Sequence, residues 1–177
     1  MVIINSICFP VVRGATVSAQ LQYNRRGTIG SERKENQTMR QMHKELLIET
    51  RGKGLYALTG YLHEWLRTSG MREGVLTLFV RHTSASLLIQ ENADTDVQVD
   101  LENFLSRLVP EGDPLYQHVQ EGPDDMPAHV RAALTQTSLS IPLIAGGLAL
   151  GTWQGIYLWE HRKAPQRRRV VAHLLGE

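Results

Sequence analysis

The chain has 177 residues, 42% of them hydrophobic, which is enough to bury a core within one domain. A single cysteine, Cys8, excludes an intramolecular disulfide framework, and nothing calls for an oxidising compartment, so a cytoplasmic location is expected. Residues 1–41 hold six basic and two acidic side chains, a net +4, leaving thirteen basic and sixteen acidic residues, a net −3. So mildly acidic a body lacks the basic footprint of a dedicated nucleic-acid binder, and no nucleic-acid partner is expected.

Near the start, Ile3, Ile4, Ile7 and Phe9 to Val12 are interrupted by Asn5, Ser6, Pro10 and Arg13, short of the ~20 apolar residues of a membrane span. No membrane partner is expected. The first basic residue, Arg13, follows the apolar stretch instead of preceding it, unlike a secretory signal. Residues 20–40 are polar, with Gly27 and Gly30. They have little to bury, so residues 1–40 read as a disordered or mis-annotated extension, with the natural start at Met39 or Met42 and the domain over residues 41–177.

His43–Thr50 reads as a strand, and Gly52 and Gly54 mark a turn. Thr59 is the expected N-cap of a helix whose stripe is Tyr61, Leu62, Trp65 and Leu66, ending at Gly70. Val75–Val80 is a clear strand. Asn92 or Asp94 is placed to cap a helix carrying Val97, Leu101, Phe104, Leu105 and Leu108, which Pro110 stops. A loop over residues 111–125 follows, and Pro127 suits the first turn of a short helix with His129, Val130, Ala133 and Leu134. Leu139–Ile144, Leu148–Glu160 and Arg168–Leu175 read as strands joined at Gly146-Gly147 and by a polar turn over residues 162–166. Strands mixed with a few helices, without regular βαβ alternation, predict a single α+β domain.

Alternation places His82 on the face of Leu76, Leu78 and Val80, either as a satisfied structural imidazole or as a ligand facing a pocket. His118 and His129 flank one loop. With His82 they make three imidazoles, the number of protein ligands that leaves catalytic zinc one open position; three surface or supporting histidines are the rival reading. Glu91, Asp94, Glu121 or Asp125 could orient an imidazole or act as acid or base, and capping or solvation explains each equally. In the 150–160 strand, Gly151, Trp153, Gly155, Tyr157 and Trp159 share one face, a packing or interface surface, while Gln154 and Glu160 suit a pocket edge. One of Arg167, Arg168 and Arg169 could clamp a phosphate.

RHTSASLLIQENAD (81–94), Asp100-Leu101-Glu102, His118 and Ala128-His129 around a Glu-Gly loop, LGTWQGIYLWEHR (150–162) and RRRVVAHLLGE (167–177) together resemble the YjbQ family, also called the secondary thiamine-phosphate synthase family. The resemblance runs from about Met42 to Glu177. It implies a compact α+β domain with a mixed, mostly antiparallel sheet and two or three helices, assembled as a homotrimer with sites near subunit boundaries. It further implies a metal at His82, His118 and His129, catalytic roles for Glu91, Asp94 and Arg169, and substrate contacts from Ser84, Asn92, Trp153 and Gln154. The loop departs from the family's usual pattern at Gly122-Pro123-Asp124-Asp125-Met126-Pro127, where two extra prolines stiffen it.

The implied activity joins a hydroxymethylpyrimidine pyrophosphate to a thiazole phosphate, releasing pyrophosphate and forming thiamine phosphate. That chemistry needs a cation on the leaving group and a dry aromatic wall. Three histidines suit a zinc-like divalent ion, with magnesium the alternative alongside pyrophosphate, so the synthase activity is expected to be secondary. The alternatives are a metal-dependent hydrolase of a small phosphorylated or amide substrate, and a non-catalytic trimeric binding protein.

Overall fold

The structure, a computed structural model, describes residues 38–177. The expected extension therefore falls almost wholly outside the described residues. In chain order the elements are β1 (Arg40–Thr50), β2 (Gly54–Ala57), α1 (Thr59–Ser69), β3 (Gly74–Val80), β4 (Ala85–Glu91), α2 (Thr95–Leu108), α3 (Asp125–Leu134), β5 (Ser138–Ile144), β6 (Gly147–Leu148), β7 (Gln154–Glu160) and β8 (Gln166–Gly176).

Period-two patterning builds the larger sheet. Leu76, Leu78 and Val80 of β3, Leu139, Ile141 and Leu143 of β5, and Val170, Ala172 and Leu174 of β8 all point inward. A one-residue slip would turn each of these sets to solvent, which pins the register. The order is β1-β8-β3-β5-β6, and every pairing is antiparallel. A second, three-stranded antiparallel sheet runs β2-β7-β4. The expectation of one mixed sheet is thus corrected to two antiparallel ones. The reason lies in β7, which is buried on both faces and separates two layers. Ile156 and Leu158 join the core with Leu62, Trp65 and Leu66 of α1, while Trp159 on the opposite face donates to Glu102 of α2 at 3.1 Å.

Two local expectations also change. Leu58, not Thr59, is the N-cap of α1, and the Thr59 hydroxyl accepts the Ile156 N–H at 2.8 Å. The ladder between β2 and β7 ends at Ala57 and Tyr157, so Ile156 needs a partner from outside the sheet. The long strand over residues 148–160 breaks into β6 and β7 because Gln154 closes a turn, its Oε1 accepting the Gly151 N–H at 2.8 Å. Gly151 and Trp153 therefore lie outside β7. The other caps follow expectation: Gly70 closes α1 at φ 67°, and the Asp94 carboxylate accepts the Asp96 N–H at 2.8 Å to start α2. Among the described residues, no helix is long and apolar enough to cross a membrane.

Candidate metal centre

Helix α3 starts with Pro127 in its first turn, where a missing N–H costs nothing, and buries Asp125, Ala128, Arg131 and Ala132. Asp125 and His129 stand four residues apart, so the helix itself brings them to one face. The preceding loop returns His118 to the same spot. His118 Nε2 lies 2.8 Å and His129 Nε2 3.6 Å from Asp125 Oδ2, with the two ring centroids 5.5 Å apart. Ligand atoms 2.0–2.1 Å from a tetrahedral zinc stand ~3.3 Å from one another, a value these separations straddle.

The surrounding bonds leave the right lone pairs bare. His129 Nδ1 lies 3.1 Å from the Thr83 carbonyl oxygen, an acceptor only. Nδ1 therefore carries a proton, and in the neutral ring Nε2 offers its lone pair, the arrangement usual for a ligating imidazole. Arg162 binds Asp125 Oδ1, reaches Asp124 Oδ2 through Nε at 3.1 Å and donates to the Glu121 carbonyl at 2.8 Å. Asp125 Oδ2 remains. It is buried and lacks a hydrogen-bond partner, with His118 Nε2 2.8 Å away. A buried carboxylate oxygen beside two imidazole nitrogens, with all three ligand atoms within 4.8 Å of one another, fits a divalent cation.

Two ion pairs, one buried and one partly buried, hold this corner. Glu160 takes Arg168 in a two-point ion pair at 2.6 and 2.7 Å, accepts the Thr50 hydroxyl, and accepts the Arg162 N–H at 3.0 Å. Arg131 crosses from α3 to Glu102 of α2 at 2.8 Å. Burial works against ionisation of Asp124, but the Lys163 N–H and the Arg162 guanidinium outweigh it and hold its carboxyl below the usual range. Arg162→Gln is expected to weaken zinc affinity about 10–100-fold, the usual effect of an outer support. Competition with a chromogenic chelator measures this, and unchanged affinity would remove Arg162 from the site.

The structure brings together His118 and His129 from the expected set and adds Asp125. His82 is placed differently. Its Nε2 accepts the Arg169 N–H at 2.9 Å, and its ring is not among the three convergent groups. In the place expected for it the structure sets Asp125 beside the two imidazoles, and His82 stands apart from them. Ser84 is buried beside Arg168, and the Arg169 side chain turns to Glu45 at 3.5 Å.

The remaining expected residues lie at the other end of the β4–β7 ladder. Ala85 pairs with Glu160 at the metal end, and Glu91 pairs with Gln154 six residues on, about 20 Å away at strand rise. There Asn92 Nδ2 bonds the carbonyls of Thr152 and Gln154, Asp94 caps α2, the Glu91 carbonyl accepts the Tyr157 hydroxyl, and Trp153 is 64% exposed. Within one chain Glu91, Asp94, Asn92, Trp153 and Gln154 do not reach the metal end, so the expected single constellation is split by the length of a strand.

Beside His118 opens a cavity of about 390 Å³ with Pro114, Tyr116, Val119, Pro123 and Met126 in its wall. Arg162 escaped the sequence reading because it sits in a polar turn. Asp125 had a readable signal, the spacing Asp125-x3-His129 on a helix.

Residues 44–177 match the family model described as "UPF0047 protein YjbQ-like". The chain belongs to this family. A UPF0047 protein of Synechocystis sp. is 53% identical over 79% of this chain and 95% of its own length. The YjbQ protein of Escherichia coli O157:H7 is 40% identical over 76% of this chain and 97% of its own. Among solved structures, an uncharacterised YjbQ/UPF0047 protein from Clostridium acetobutylicum superposes with a TM-score of 0.66 at 37% identity, covering 72% of this chain and all but 3% of its own. A YbjQ-like protein of unknown function from Sulfolobus solfataricus P2 has a TM-score of 0.72 at 23% identity over 79% of this chain and 100% of its own, a likeness of fold alone. The YjbQ-like architecture is therefore a small α+β domain of antiparallel sheets with three helices.

Proposed function

We propose that this YjbQ-like chain is a metal-dependent enzyme acting on a small molecule at His118, Asp125 and His129, with a zinc-like divalent ion as cofactor. The observation that carries the reading is the buried Asp125 Oδ2, without a hydrogen-bond partner beside two imidazoles. Magnesium, which favours oxygen ligands, matches this donor set less well. When bound, the cation supplies a Lewis acid that polarises a substrate oxygen or eases deprotonation of water. Thr83 orients His129, Arg162 holds Asp125 Oδ1 and so fixes the turn of the carboxylate, and the cavity beside His118 takes the body of the substrate. Hydrolysis of a small phosphorylated or amide compound is the reaction this set supports best.

Thiamine-phosphate synthesis is the second reading. The exposed Trp153 indole favours it, being available to stack on a pyrimidine. Because Trp153 lies a strand's length from the trio, that reaction requires Trp153, Gln154, Asn92 and Glu91 of one copy to face the trio of another, as in the homotrimer that the resemblance implies. Sedimentation is expected to give three times 19.9 kDa. Zinc-loaded protein incubated with the two thiamine precursors, in parallel with phosphate-ester and amide panels, separates the readings. Thiamine phosphate formed no faster than without protein removes the second. Stoichiometric zinc without turnover on any panel points to a non-catalytic binding protein.

A further inference from the structure

The cavity beside His118 shares that imidazole with the trio. Its wall is largely apolar and aromatic, with Tyr116 and Met126 among glycine, proline and valine, and it holds one carboxylate, Asp113. Among the described residues, no lysine or arginine lines it. A phosphorylated compound seated there would set its dianion against a carboxylate with no cation to receive it, which is unfavourable.

The cations that reach this corner are committed elsewhere. Residues 111–125 carry Glu111, Asp113, Glu121, Asp124 and Asp125 and no lysine or arginine. Lys53 and Lys163 both pair with Glu111, while Arg162 is shared among Glu121, Asp124 and Asp125. Arg131 and Arg168 face Glu102 and Glu160. Asp113 stands in no ion pair among the described residues. A local turn positions it: Asp113 Oδ1 accepts the Leu115 N–H at 2.9 Å, and the Asp113 carbonyl accepts the Tyr116 N–H at 3.0 Å. That turn puts the carboxylate and the Tyr116 ring into the wall of one cavity. A negative charge with an aromatic face is the combination that receives an organic ammonium group.

We infer that this cavity is a subsite for an ammonium group, with Asp113 as its specificity-determining carboxylate, so that the trio's substrate is a small amine-bearing amide and phosphorylated compounds are turned away. The inference deepens the proposed metal reading and rests on it for its meaning. Hydrolysis of such a substrate adds the oxygen of water to the carbonyl carbon and breaks the C–N bond. Both water protons end on the released amine, and a carboxylate remains.

The test is ligand-observed NMR titration of the full chain with benzylamine, benzyl alcohol and benzyl phosphate, matched in body and differing in charge, at low ionic strength. Metal-free protein is expected to bind them in that order, benzylamine about threefold to fivefold ahead of the alcohol, the range of a partly exposed ion pair. Asp113→Asn keeps an acceptor for the Leu115 N–H, so the turn survives; it is expected to bring benzylamine down to the level of the alcohol. Asp125→Ala is expected to lose zinc and to keep the amine preference within about twofold. Benzyl phosphate bound as tightly as benzylamine by metal-free protein, no amine preference at millimolar concentration, or a preference unaltered in Asp113→Asn overturns the subsite. Stoichiometric zinc in that same protein then leaves the metal reading standing. An Asp113-dependent amine preference in a protein that takes up no zinc keeps the subsite and removes the metal reading.

Discussion

Asp125→Ala is expected to abolish zinc retention, lowering affinity by at least about 100-fold, beyond the 10–100-fold typical of outer-support changes. The substitution removes the one carboxylate of the trio and leaves Arg162 facing Asp124 alone. His118→Ala and His129→Ala are expected to act alike, because each removes one of the remaining nitrogens. His82→Ala is the discriminating control. Its Nε2 is already committed to the Arg169 N–H, so the variant is expected to hold zinc within about threefold of the parent. Metal content after dialysis, with chelator competition for affinity, decides between the Asp125 trio and a set of three histidines. Stoichiometric zinc in Asp125→Ala together with its loss in His82→Ala would restore the latter.

Acid is expected to unfold the domain through His161 before ordinary carboxylate titration begins. His161 is fully buried, its Nε2 lies 2.9 Å from the Ser86 hydroxyl, and its Nδ1 has no partner. Burial first, then the charges of Arg131, Arg168 and Lys53, push its pKa from 6.5 down to about 3. The unfolded chain takes up this proton below about pH 6.5 and the folded chain only near pH 3. Stability therefore falls as the pH drops through that window, by on the order of 4–5 kcal/mol in total. His161→Gln keeps a hydrogen-bonding group for Ser86 and removes the titration. Urea unfolding at pH 7, 5.5 and 4.5 is expected to show a steep loss in the parent and a shallow one in the variant. Equal slopes would transfer the effect to other groups.

Much of the frame could be read from local pattern. The period-two runs of β3, β5 and β8, the Gly70 stop, the Asp94 cap and Pro127 in the first turn of α3 each depend on residues within one turn or strand. The errors came where a distant backbone competed. Thr59 serves Ile156 rather than its own helix, and Gln154 folds back on Gly151 to end a strand that composition alone would continue. His118 and His129 stood out by type, but the partner that makes them a site is a carboxylate in an acid-rich loop, where many acids look alike.

The sequence by itself determined the α+β class, the strand faces and the histidines worth testing, because these follow from periodicity and side-chain chemistry over a few neighbouring residues. Tertiary structure alone decided that the strands form two antiparallel sheets with β7 at the centre of the smaller one, that Glu91 to Asp94 and Trp153 stand a strand's length from the trio, and that Asp125 rather than His82 faces the two imidazoles. The physical reason is hydrogen-bond commitment across long sequence separations. Arg162 fixes one oxygen of Asp125 from 37 residues away, and Arg169 takes the Nε2 lone pair of His82 from 87 residues away. Which lone pair stays bare is settled only once those partners have met.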